Sequence, residues 1–190
     1  MKHLFLSVVV ICFLFLGNTL KAQEFGIKGG VSFTDLSNLS GNNRVTGHAG
    51  VFLNKRLDKF WSIQPEILYA GMGQRYYTIN GDQRTIALDY IQIPVMFQVH
   101  PLRQFYLEFG PQLGFNVGAN LKYADGDKIG IKDGYSSADV ALNLGMGIDA
   151  NRMLGFYVRY GIGLTDITLD DHRTRANRGL QLGANIKFPR

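Results

Sequence analysis

The chain has 190 residues, 23 of them glycine and 12% aromatic, with 20 basic against 15 acidic side chains and one cysteine. A net charge of +5, dispersed along the sequence, offers no basic stripe for nucleic acid. One cysteine excludes a disulfide framework, and the length suits a single domain.

The first element sets the compartment. Met1-Lys2-His3 is a short basic start, Leu4 to Leu16 is apolar except for Ser7, and Leu20-Lys21-Ala22 ends on a small residue. This reads as a secretory signal peptide over residues 1–22, too short for a spanning helix of about 20 apolar residues. Its removal takes away Cys12, Lys2 and Lys21. The mature domain, residues 23–190, then has no thiol, and its 18 basic and 15 acidic side chains leave a charge of +3.

Eight period-two segments follow, each with one apolar and one polar face. The first, Glu24 to Phe33, sets Phe25, Ile27 and Val31 against Gly26, Lys28 and Gly30. The second, about Thr46 to Lys55, sets Ala49, Val51 and Leu53 against His48, Gly50 and Asn54. The third, Trp61 to Tyr77, sets Ile63, Ile67 and Tyr69 against Ser62, Gln64 and Glu66. The fourth, about Arg84 to Val99, sets Ile91, Ile93, Val95 and Phe97 against Gln92 and Gln98. Its early Ile86 and Leu88 are out of phase, which predicts a bulge or a protruding end there.

The fifth segment, from Phe105 to Val117, sets Leu107, Phe109 and Leu113 against Tyr106, Glu108, Gln112 and Asn116. The sixth, Ala138 to Asp149, sets Val140, Leu142, Leu144 and Met146 against Asp139, Asn143, Gly145 and Gly147. The seventh, Phe156 to Thr165, sets Val158, Tyr160 and Ile162 against Tyr157, Arg159 and Gly161. The eighth, Gly179 to Phe188, sets Leu180, Leu182 and Ile186 against Gln181, Asn185 and Lys187. The connections Leu57 to Phe60, His100 to Gln104 and Ala150 to Leu154 are short. Thr34 to Val45, Gly118 to Tyr135 and Asp166 to Ala176 are long and polar, while Asn80-Gly81 marks a tight hairpin that should extend beyond the membrane.

Short turns on one rim and long loops on the other are the layout of an outer-membrane barrel. A lipocalin-like soluble barrel would turn the same apolar faces inward, but its outer face would then be rich in Lys, Glu and Asp. Here the polar faces hold mostly Gly, Gln, Asn and isolated charges, suited to a narrow hydrogen-bonded lumen. Aromatic residues gather near the two rims: Phe60-Trp61, Phe97, Phe105, Phe156 and Phe188 by the short turns, Phe33, Tyr69 and Phe115 toward the loops. They read as interfacial girdles, with Trp61, Phe105, Phe156 and Phe188 as the anchors. The predicted fold is therefore all-β, an eight-stranded antiparallel up-and-down transmembrane barrel.

The stretches GIKGGVSF (Gly26 to Phe33), GHAGVFLNKRL (Gly47 to Leu57), SIQPEILYAGMG (Ser62 to Gly73), YIQIPVMFQV (Tyr90 to Val99) and FYLEFGPQLGF (Phe105 to Phe115) resemble the outer-membrane β-barrel domain of PorT-like, porin-named proteins. The resemblance covers nearly the whole mature chain. It implies an eight-stranded barrel in the bacterial outer membrane; the family's founding member is associated with a protein-secretion apparatus, and most relatives have no assigned activity. The terminal Phe188-Pro189-Arg190 departs from the last-residue aromatic common in such proteins.

Lys28, Glu66, Glu108, Arg159 and Lys187 all fall on polar faces, and buried charges must pair, so an ion-paired lumen network is expected. The alternative, two carboxylates as catalytic acid and base, lacks a positioned nucleophile. His48, His100 and His172 have no metal-ligand spacing. Gly145-Met146-Gly147-Ile148-Asp149-Ala150 mimics a dinucleotide fingerprint, yet a turn and another strand follow where a helix would have to open. Asp125-Gly126-Asp127 and the group Asp166, Asp170, Asp171 lack calcium-loop spacing and read as solvated loops. No catalytic, cofactor or metal site is expected. The expected partners are outer-membrane lipid and other envelope or secretion proteins, with no nucleic acid and no small-molecule substrate. A structural or interaction barrel is the leading function, with a small-solute pore and a lipid-modifying enzyme as competitors.

Overall fold

The computed structural model describes residues 23–37, 41–78, 81–123, 127–168 and 175–188. The expected signal peptide lies outside them, as do His172, Asp125, Asp170 and Asp171. The strands are β1 (Gln23–Leu36), β2 (Asn42–Arg56), β3 (Trp61–Tyr77), β4 (Gln83–Val99), β5 (Phe105–Tyr123), β6 (Lys128–Gly130), β7 (Ala138–Asp149), β8 (Leu154–Gly163) and β9 (Asn177–Phe188). Eight of them close into one antiparallel ring in the order β4-β3-β2-β1-β9-β8-β7-β5, with β4 pairing β5 to shut it. Closure leaves no unpaired edge in lipid, where an unsatisfied backbone group has no water to turn to.

The ring is inside-out. Val51, Ile67, Leu113, Leu144, Phe156 and Leu182 face outward and exposed, while Lys28, Glu66, Glu108 and Arg159 are buried. The strands tilt steeply. One row of partners runs His48, Gly30, Gly183, Tyr157, Gly147 and Tyr106, from the loop half of β2 to the turn end of β5. Its glycines make room for the large side chains between them: a Cβ on Gly183 would lie 2.6 Å from the Tyr157 hydroxyl, and one on Gly147 2.3 Å from Tyr106. Gly145 and Gly147, the two glycines of the dinucleotide look-alike, are thus spacers in β7.

The expectation of a phase change and bulge at β4 holds, with its cause now visible, and the expectation for the connection after β5 does not. Ile86 and Leu88 stay in phase with inward-facing Tyr90 and Gln92, because the lumen itself turns apolar at that height. The register shift does fall there, between Asp89 and Tyr90, but the extra residue is Val117 of β5: Asp89 partners Gly118 and Tyr90 partners Asn116. The connection expected as a long loop from Gly118 to Tyr135 instead extends β5 to Tyr123, pairs β6 against it, and makes a 3₁₀ turn at Lys132–Gly134. Strands β3, β4 and β5 run 17, 17 and 19 residues against 10 to 12 for β7, β8 and β9, so one side of the barrel stands taller. A spanning strand needs about 9–11 residues.

Candidate functional site: a filled lumen

Arg159 of β8 organises the middle of the lumen. Its Nη1 and Nη2 donate to Glu66 Oε2 and Oε1 at 2.9 and 2.8 Å, a bidentate pair, and its Nε donates to Glu108 Oε1 at 2.7 Å. Lys28 Nζ donates to Glu66 Oε1 at 3.0 Å and lies 3.9 Å from the centre of the Tyr157 ring. Two cations and two carboxylates thus balance. Gln64 is a third donor to Glu66 Oε1, at 2.8 Å, and Gln98 donates to Glu108 Oε2 at 3.2 Å. Glycine explains the reach: Glu108, Gly145 and Arg159 share one row, and a Cβ on Gly145 would sit 3.1 Å from Glu108 Oε1.

Lys187 does not join this set. Its Nζ donates to Asp149 Oδ2 at 2.7 Å, at the short-turn rim. Lys187 is the penultimate residue of β9, and strand tilt carries its side chain toward the end of β7. Gly155 stands between Asp149 and Asn185 with no side chain to block the bridge. Periodicity supplied the face of Lys187 but not its height, which only the register sets.

The other residues singled out from the sequence separate by environment. Trp61, Phe156 and Phe188 are exposed on the outer face, Phe105 is half-buried, and Phe188 stacks on Phe25 with centroids 5.8 Å apart. His48 points inward, its Nδ1 2.8 Å from the Ser32 hydroxyl and its Nε2 2.5 Å from the Tyr157 hydroxyl. His100 is buried under the β4–β5 turn, with its Nε2 3.0 Å from the Ser62 hydroxyl. Asp166 Oδ1 accepts from Thr168 and from the Arg175 amide at 2.9 Å, so it folds its own loop. Among the described residues no three His, Cys, Asp or Glu side chains converge as metal ligands do.

Above the charges the lumen carries amides. Asn143 Nδ2 donates to Gln112 Oε1 at 2.9 Å and Asn177 Nδ2 to Asp139 Oδ2 at 2.7 Å. A cavity of about 20 Å³, lined by Thr34, Gln92, Gln112, Asp139 and Gln181, remains between them. That is the room of about one water. Then comes an apolar roof. Leu36, Met72, Ile86, Leu88, Tyr90 and Ala119 from the strands meet Tyr135 and Ile167 from the connections. Backbone bonds from Ser136 to the Ile167 carbonyl and from Ile167 to the Arg175 carbonyl, both 2.8 Å, pin the roof in place. On its outer side lies an open hollow of about 420 Å³ lined by Tyr76, Leu121, Ile131, Tyr135 and Arg175. Sequence reasoning missed the roof. The signals were the phase of Ile86 and Leu88, and the apolar Ile131, Tyr135 and Ile167 inside connections that otherwise look polar.

Residues 19–169 match the outer membrane protein beta-barrel domain family. Among curated protein sequences none matches. Two crystal structures share the fold. Ail, the attachment invasion locus protein of Yersinia pestis, here in complex with the heparin analogue sucrose octasulfate, is 11% identical, with a TM-score of 0.53 over 88% of this chain and 99% of that one. Neisserial surface protein A is 11% identical, with a TM-score of 0.53 over 87% and 97%. A closed eight-stranded ring, a lipid-facing apolar exterior and this match lead to one conclusion: the chain belongs to the outer membrane protein beta-barrel domain family and resides in the bacterial outer membrane.

Proposed function

We propose that the protein is an anchored interaction module whose working surface is its loop end, and that its lumen conducts nothing. The observation that carries this reading is the filled interior: the Arg159 ion pairs cross it, the roof of Leu88, Tyr135 and Ile167 closes over it, and the cavity between Thr34, Gln92 and Gln181 holds about 20 Å³. Eight strands enclose a space that side chains can fill, and here they do. The hollow beside Ile131 and Tyr135 presents apolar and aromatic surface between Asp133 and Arg175, a setting for a protein segment with an apolar side chain flanked by polar or charged groups. The PorT-like resemblance makes a protein-secretion assembly the natural source of that segment. Neither a small-solute pore nor a lipid-modifying enzyme belongs to this reading.

Three experiments test it. The purified protein in a planar bilayer should give no stepwise conductance; regular single-channel steps would establish the pore instead. Affinity isolation from detergent-solubilised outer membrane should recover a partner, and Ile131→Asp should lose it while the barrel still folds. Recovery of the protein alone at native levels would remove the secretion-complex version, and an altered lipid A or phospholipid profile on deletion would favour the enzyme.

A further inference from the structure

All three short turns carry the same pair of residue types side by side. Lys59 precedes Phe60, Leu102 precedes Arg103, and Arg152 precedes Met153. The apolar members are 58%, 68% and 51% exposed, too exposed to be packing the barrel. The cations are exposed as well, and Arg56 adds a fourth beside the first turn. The single acid in these turns is Asp58, whose Oδ1 accepts from the amides of Phe60 and Trp61 at 2.7 and 2.8 Å. Asp149 and Lys187, on the same rim, neutralise each other.

The turns are also held still. Asn151 Oδ1 accepts from the amides of Met153 and Leu154 at 2.8 Å each, and neighbouring connections bond to one another through His100 to the Phe60 carbonyl and Asp149 to the Gln104 carbonyl, both 2.7 Å. A rigid rim with an exposed apolar side chain and an exposed cation at each corner matches the boundary of a phospholipid leaflet. The apolar group sits among acyl chains and the cation reaches a phosphate.

We propose that this rim is a binding site for anionic phospholipid headgroups of the leaflet that the short turns face, with Lys59, Arg103 and Arg152 as the phosphate contacts and Phe60, Leu102 and Met153 as the acyl-chain contacts. The site takes phosphatidylglycerol-type lipids in preference to zwitterionic ones, because only a net negative headgroup gains from an uncompensated cation. It serves to fix the depth and tilt of the barrel from its short-turn side, leaving the loop end free.

The protein carries its own reporter. Trp61 is its one tryptophan, 41% exposed and next to the Lys59-Phe60 turn, and its ladder partner Val99 leads into the turn that holds Arg103. The full protein is reconstituted in phosphatidylcholine vesicles with rising fractions of chain-brominated phosphatidylglycerol or chain-brominated phosphatidylcholine, and quenching of Trp61 gives their relative affinity. One cation at a membrane surface corresponds to about a fivefold preference for the anionic lipid. The preference should fall toward unity at about 0.5 M salt, where screening is short-ranged. It should also fall toward unity in Lys59→Gln/Arg103→Gln, whose unboiled gel mobility reports that the barrel remains folded. Superimposable quenching by the two lipids in the wild type, or an undiminished preference in the double variant, would overturn the proposal.

Discussion

Arg159 shows how much rests on single side chains in this lumen. It is buried against two carboxylates, so Arg159→Ala would leave Glu66 and Glu108 facing Lys28 alone. Removing one partner of a buried pair costs about 3–5 kcal/mol. The expected outcome is a large fall in the urea midpoint, read from the fraction of heat-modifiable species on a gel. Glu108→Gln made on top of it should cost much less than Glu108→Gln in the wild type, since the two side chains share one network. His100, in the β4–β5 turn, offers a pH handle. Burial is the main reason its ring is held below the ordinary value of 6.5, with Arg56 and Lys187 adding to the effect and Asp149 opposing it. The native state then prefers the neutral ring and binds fewer protons than the unfolded chain. The stability His100 contributes is therefore present above pH 6.5 and is lost as pH falls from there toward its lowered value. The urea midpoint should drop between pH 7.5 and 5, and His100→Asn should flatten that dependence; an unchanged slope in the variant would remove His100 as a cause.

At the scale of elements, β4 illustrates what periodicity can and cannot deliver. Alternation placed Ile91, Ile93, Val95 and Phe97 on the lipid side, and the strand runs through the region where the pattern changes. The change in phase was legible; its meaning was not. Only the closed ring shows that the lumen at Ile86 and Leu88 is roofed by Tyr135 and Ile167, whose chain positions lie far from β4. Leu88 is fully buried. Leu88→Ala should cost about 2–5 kcal/mol, measured in the same unfolding assay, because its neighbours come from separate strands and cannot collapse into the gap. A loss under about 1 kcal/mol would mean the roof is loosely packed. Prolines mark a second element-level feature: Pro65, Pro94 and Pro111 sit in adjacent strands, and the assigned pairings between β3, β4 and β5 lapse beside them. A proline has no amide to give a ladder, so these strands are joined less continuously there.

For the whole molecule, the decisive property is that hydrocarbon covers the greasy surface. Outward-facing Ile67, Leu144, Ile148, Phe156 and Leu182 would form a contiguous exposed apolar belt in water, far beyond what a soluble monomer tolerates. The purified protein should therefore need detergent or lipid to stay monodisperse, and its unboiled form should migrate differently from the boiled form, because a closed barrel resists detergent. Identical mobility would contradict the closed ring. The same enclosure gives the ion pairs their strength, since side chains in the lumen are held by a complete circle of strands and cannot move apart.

Which residues share a face was decided locally: side chains alternate across a strand whatever the strand pairs with, so the polar and apolar sets, the short turns and the lipid-facing belt can be read along the chain. Who meets whom was decided by closure. Ring order, stagger and tilt set the height of each inward side chain, and they brought Lys28, Glu66, Glu108 and Arg159 together while carrying Lys187 to Asp149 at the rim. They also folded Tyr135 and Ile167 over the mouth of the lumen. Period two fixes direction within a strand, and only the register between strands converts direction into contact.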